Sequence, residues 1–102
     1  MARRGLFKSR IAVYVARVAS AMVEAENFDN RVLAKHVIEA VRSVGLQLSE
    51  RRDGLFYCPI CGKGPFTKRG YYLHLTRVHY AHIISLVDRE VERMMKTSKN
   101  LA

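Results

Sequence analysis

A chain of 102 residues has room for one ordinary domain, since compact domains run to about 100–150 residues; a two-domain enzyme with a deep cofactor cleft is excluded at that length. The apolar fraction of 49% is that of a globular chain and rules out wholesale disorder. Eighteen Lys and Arg against nine Asp and Glu give a net charge of +9, which points to a polyanionic partner, and no apolar run approaches the roughly 20 residues that span a bilayer.

The first ten residues carry Arg3, Arg4, Lys8 and Arg10 with no acid, and read as a basic arm over 1–10. A secretory signal would start in the same way, but Arg10 and Arg17 interrupt the apolar core it needs, so an intracellular, cytoplasmic protein is expected. Next comes a helical hairpin over 11–48. Ile11, Val15, Val18 and Met22 recur at helical steps among Ala12, Ala16 and Ala19, which predicts a helix over 9–26 with Ser9 as its N-cap. Asn27-Phe28-Asp29-Asn30 reads as a turn, with Asp29 or Asn30 capping a second helix over 31–44. Leu33, Val37, Ala40, Val41 and Val44 form its apolar stripe, Gly45 is its expected stop, and His36 reads as a surface histidine. A helix-turn-helix DNA reader is a weaker reading of this hairpin. Its second helix offers only the mixed face Arg31, Lys35, Glu39 and Arg42.

From Leu46 the period changes. Leu46 and Leu48 alternate with Gln47 and Ser49, Asp53-Gly54 is a strong turn dipeptide, and Leu55-Phe56-Tyr57 reads as a strand. From Thr67 or Lys68 to Lys96 there is no Pro, and no Gly after Gly70. Leu73, Val78, Ile84, Val87, Val91 and Met94 or Met95 predict one long helix whose last part, 83–102, extends beyond a finger over 49–82. The fold class is α+β and mostly helical: a helical hairpin, a strand–strand–helix unit and a long C-terminal helix, packed as one compact body.

The chemistry concentrates in Cys58-Pro59-Ile60-Cys61, followed after twelve residues by His74 and after four more by His79. Zinc takes four ligands in a tetrahedron, and thiolate with imidazole suits its borderline softness. Two cysteines on a tight knuckle turn both sulfurs toward one ion, and two histidines this far apart return to one face of a slightly loosened helix. One structural Zn2+ on Cys58, Cys61, His74 and His79 is therefore expected. His82, three residues after His79, competes for the fourth place, and spacing favours His79. A redox Cys-x-x-Cys would open a helix between strands, and a lone disulfide would leave both histidines unexplained.

Over about residues 55–80 the chain resembles the two-Cys, two-His zinc fingers. Phe56 lies two before the first cysteine, Tyr71 three before the first histidine, and Gly70-Tyr71-Tyr72-Leu73-His74-Leu75 is similar to single-finger proteins of archaea and archaeal viruses. One departure concerns the core aromatic, which in that family follows the second cysteine by four. Here that place holds Pro65 and Phe66 is displaced by one, so the turn into the helix is expected to be rebuilt around Gly62, Gly64 and Pro65. The family's three base-reading positions fall on Thr67, Gly70 and Leu73, none of which makes a bidentate base contact.

The charge is divided along the chain: +4 over 1–10, −1 over 11–50, +5 over 51–82 and +1 over 83–102. Arg3, Arg4, Lys8, Arg10, Arg51, Arg52, Lys63, Lys68, Arg69 and Arg77 are the expected phosphate contacts, with Tyr72 or Tyr80 stacking on an unpaired base. The expected function is nucleic-acid binding through the backbone, RNA favoured over DNA, as a ribosomal or ribosome-associated protein in contact with rRNA or ribosomal proteins. A DNA-binding transcription regulator is the first alternative. A protein–protein adaptor docking through residues 83–95 is the second. An enzyme is not expected, because all four metal ligands are protein side chains and no open coordination position is left.

Overall fold

The computed structural model describes residues 2–24 and 34–101, with side chains described over 10–24 and 34–96. The elements follow the expected order: α1 (Ala2–Ala19), α2 (Lys35–Gln47), β1 (Glu50–Arg52), β2 (Leu55–Tyr57), α3 (Lys68–Val78) and α4 (Tyr80–Leu101). The expected turn at 27–30, its Asp29 or Asn30 cap and the start of the second helix at 31 lie outside the described residues.

Helix α1 begins and ends earlier than the apolar spacing predicts. Its backbone starts at Ala2 and takes in the segment expected as an arm. It stops at Ala19 because Ala21 adopts a left-handed conformation, φ 60°. The Met22 N–H then bonds the Arg17 carbonyl and the Ala21 N–H bonds the Val18 carbonyl, at 2.9 and 3.1 Å. That pair of bonds is a Schellman closure, made here on an alanine rather than the usual glycine. Met22 is accordingly outside the helix and exposed.

Helix α2 runs through Gly45 instead of stopping there. Gly45 is buried in the contact with α1, where an added Cβ would stand 2.5 Å from Val18 Cγ1. The glycine serves close helix approach, and the helix ends three residues later with Leu48 as its C-cap. The alternation read from Leu46 is therefore the last helical turn, exposed at Leu46 and buried at Leu48.

The antiparallel hairpin pairs Glu50 with Tyr57, Arg51 with Phe56 and Arg52 with Leu55. Asp53 and Gly54 turn it at φ 53° and 81°, the two positive values that a tight two-residue turn requires. Helix α1 packs against α2, α3 and α4, so one core joins all the helices. Val15, Ala16, Val41, Val44, Tyr71, Leu75 and Ile83 are among its most enclosed members.

The single long C-terminal helix is broken in two. At His79 the backbone leaves helical geometry (φ −113°, ψ 20°), ending α3, and α4 starts at Tyr80. Across the break His79 N–H still bonds the Leu75 carbonyl and Ile83 N–H bonds the His79 carbonyl, at 3.1 and 2.9 Å. The break also shifts the stripe. Ile83 rather than Ile84 is the fully buried anchor, Val87 follows it, and Val78 is exposed. Ser43 Oγ on α2 donates to Glu90 Oε1 on α4 at 3.5 Å, adding a polar tie. Among the described residues, no helix is long and apolar enough to cross a membrane.

Candidate metal centre

The knuckle forms because the backbone of residues 58–63 closes on itself. Gly62 N–H bonds the Cys58 carbonyl at 2.7 Å, and Cys58 N–H bonds the Lys63 carbonyl at 2.8 Å. Gly62 sits at φ 76°, where glycine is nearly free of strain. Gly64 lies so close to the hairpin that an added Cβ would meet Tyr57 Cδ1 at 2.6 Å and the Phe56 carbonyl at 2.9 Å. The Gly64–Pro65 peptide is cis. The rebuilt turn expected at Gly62, Gly64 and Pro65 is thus present.

Its product is the placement of Phe66. Phe66 exchanges both backbone hydrogen bonds with Phe56, at 2.9 and 2.8 Å, which adds a third short strand position to the hairpin. From there its ring stacks on Tyr71 at 5.8 Å and on His74 at 4.6 Å, while Phe56 stacks on Tyr71 at 5.3 Å. The displaced aromatic reaches the core because the turn moves with it. The Tyr71 hydroxyl donates to the Leu48 carbonyl at the end of α2. Burial first, and then the nearby Cys58 thiol, hold the phenol well above its ordinary pKa, so it remains a donor. Neither the Tyr71–Leu48 bond nor the His74 stack has a signal in the sequence, since both depend on tertiary placement.

Cys58, Cys61, His74 and His79 converge, with all four ligand atoms within 4.8 Å of one another. Cys61 Sγ is 3.3 Å from His74 Nε2, and the two Nε2 atoms of His74 and His79 are 3.2 Å apart. Zn–N bonds of about 2.0 Å and Zn–S bonds of about 2.3 Å give tetrahedron edges of about 3.3 Å between nitrogens and about 3.5 Å between sulfur and nitrogen. These two separations fit those edges. The group is therefore able to hold a metal ion and is compatible with one structural zinc. The break at His79 does what the five-residue histidine spacing requires: it turns the second imidazole back toward the first. His82 remains exposed on α4, outside the cluster.

Burial is uneven around the site. Cys58 is buried and Cys61 exposed. Burial pushes the Cys58 thiol up. Burial lowers His74, with Lys63 adding to the shift; burial also lowers His79, with His74, His82 and Lys63 adding. Low histidine pKa values favour the neutral imidazole that a metal needs.

The basic residues expected at the interface are spread over α1, β1, the knuckle and α3. Arg10, Arg51, Arg52, Lys63, Lys68, Arg69 and Arg77 are exposed, whereas the side chains of Arg3, Arg4 and Lys8 lie outside the described residues. Tyr72 and Tyr80 are half-buried and pack against the core, which takes part of each ring out of reach. Thr67 is the N-cap of α3, its hydroxyl oxygen accepting from Gly70 N–H at 3.1 Å. Arg51 lies over the Phe56 ring at 5.4 Å and Arg52 over the Tyr57 ring at 4.9 Å. No family model, curated protein or solved structure matches this chain.

Proposed function

We propose that this protein is a small zinc-finger nucleic-acid-binding protein that contacts mainly the phosphate backbone. The observation that carries this reading is the Cys58–Cys61–His74–His79 cluster set among exposed bases. Over 51–82 six Lys and Arg stand against Asp53 as the one acid, and all six are exposed. Zinc stiffens this surface, and each neutralised phosphate releases counterions to drive binding. RNA is favoured over DNA, in a ribosomal or ribosome-associated role, and the protein acts without catalysis in the cytoplasm.

The base-reading positions support backbone contact over sequence reading. Thr67 spends its hydroxyl on the helix cap, Gly70 has no side chain, and Leu73 has no polar atom to offer. That weighs against the transcription-regulator alternative. The adaptor alternative loses the core of its docking stripe, because Ile83 and Val87 are buried within the chain itself.

The test is titration of the zinc-loaded protein with a structured RNA and a duplex DNA across a salt series. The expected result is tighter binding to RNA with log affinity falling linearly in log salt, by about 0.7–0.9 per phosphate neutralised. Absence of binding at low salt, or salt-independent binding, overturns the proposal.

A further inference from the structure

One side of the hairpin holds an arginine in an unusual position. Glu50 and Arg52 are two apart on β1 and share a face, on which Tyr57 is the cross-strand partner of Glu50. The Arg52 guanidinium lies over the Tyr57 ring at 4.9 Å, and its Nη2 donates to Glu50 Oε1 at 2.8 Å. Backbone at Gly64 closes on the same tyrosine, at a distance that leaves no room for a Cβ. The Arg52 side chain is nonetheless 67% exposed.

These contacts fix the guanidinium while removing much of its value to a phosphate. The Glu50 carboxylate already neutralises it at one edge and would itself repel an incoming phosphate. What stays available is the exposed part of the guanidinium, since two thirds of the side chain remains open to solvent. A guanidinium plane is a platform on which an unpaired base stacks, and base stacking is indifferent to a neighbouring carboxylate. A platform already held on an aromatic ring and by an ion pair loses little freedom when the base arrives.

We infer that Arg52, held by Tyr57 and Glu50, is a stacking platform for an unpaired nucleobase, so that the finger recognises single-stranded loops rather than continuous duplex. This rests on the nucleic-acid reading above and assigns Arg52 a role different from a phosphate contact. Arg51, Lys63, Lys68, Arg69 and Arg77 are left to hold the flanking backbone. The ligand is the base itself, whether carried by RNA or DNA.

The test uses zinc-loaded protein with a stem-loop carrying 2-aminopurine in the loop, made as RNA and as DNA, and the same label paired within a blunt duplex. Stacking quenches 2-aminopurine, so wild type is expected to quench the loop label and leave the duplex label unchanged. Arg52→Lys keeps the charge and loses the plane. It is expected to abolish the quench and to weaken loop binding by about 5- to 150-fold, the range that one stacked base commands, with duplex binding unchanged. Tyr57→Leu, checked for retained zinc and circular dichroism, is expected to act in the same direction. Quenching by both stem-loops identifies the base as the ligand, and quenching by RNA alone adds the sugar to the recognition. Undiminished quenching and affinity in Arg52→Lys overturn the platform. Salt-sensitive binding by wild type without any quench also overturns it and leaves the nucleic-acid reading standing. Failure to bind any of the three at low salt removes both.

Discussion

The Tyr71 hydroxyl donates a hydrogen bond to the Leu48 carbonyl, joining the finger helix α3 to the last turn of α2. Tyr71 is fully buried, and its ring is one member of the stack that continues through Phe66 to His74 of the Cys/His cluster. The metal centre and the helical hairpin are therefore parts of one packed structure, not a finger tethered to a separate bundle. Tyr71→Phe keeps the ring and leaves a carbonyl at a helix end without its partner. It is expected to lose about 1–3 kcal/mol of stability in urea unfolding of the zinc-loaded protein. Probes of the finger and of the helices should still report one transition. Separate melting of the α3 cluster and the helical hairpin in the intact, zinc-loaded protein would contradict this single packed structure.

Gly45 is the second point at which the fold depends on close approach. Alanine there would gain about 1 kcal/mol of helix propensity, but its Cβ would meet Val18 Cγ1 at 2.5 Å and Val18 Cβ at 2.6 Å. Val18 is buried, and because its Cβ as well as its Cγ1 stands in the way, a rotamer change alone does not relieve the contact. Overpacking of this kind costs about 1–3 kcal/mol, so the clash outweighs the propensity. Gly45→Ala should lower the denaturation midpoint, and combining it with Val18→Ala should recover part of the loss. A double-mutant cycle with no coupling between the two positions would contradict the packing assigned to them.

The Cys58–Cys61–His74–His79 cluster was legible because metal chemistry fixes residue type and spacing independently of the rest of the fold. The hairpin was legible from Asp53-Gly54 and the short run Leu55-Phe56-Tyr57, and the core stripe of α1 from Ile11, Val15 and Val18. Boundaries were not. Gly45 reads as a stop because glycine usually ends a helix, yet here the missing side chain is used for packing against Val18, a reason invisible without the partner helix. Ala21 gives no warning that it will adopt a left-handed conformation and end α1. The break at His79 is written in no local propensity. It follows from where the imidazole must point, so a continuous apolar pattern through residues 73–95 reads as one helix when the chain makes two.

His79 and His82 separate the two possible ligand sets. His79 lies in the cluster with its Nε2 at 3.2 Å from that of His74, and His82 is exposed outside it. His79→Ala and Cys61→Ala are each expected to weaken zinc binding by at least about 100-fold, and Cys61→Ala to unfold the finger, because metal binding supplies on the order of 10 kcal/mol of folding free energy in such units. His82→Ala should leave affinity and melting temperature unchanged. The measurement is competition against a chromophoric chelator, supported by the visible spectrum of the cobalt-substituted protein, which reports tetrahedral sulfur–nitrogen coordination. Loss of zinc in His82→Ala with retention in His79→Ala would reverse the assignment.

Proton competition gives the metal centre a definite pH dependence. Zinc binds thiolates and neutral imidazoles, so each thiol must release its proton when the ion arrives. Burial raises Cys58 above its ordinary value, which keeps that thiol protonated through neutral pH. Burial lowers His74 and His79, which keeps both imidazoles neutral below the usual histidine range. Between these limits the Cys58 proton leaves as zinc binds, so apparent affinity should fall by at least about 10-fold for each unit that pH drops. Once pH falls through the lowered histidine values, protons compete at the imidazoles as well and the slope steepens. The sign is therefore loss of zinc on acidification, beginning with Cys58 and accelerating below the ordinary histidine range. Chelator competition over pH 5.5–8 measures it, and an affinity independent of pH in that interval would be incompatible with a two-thiolate site.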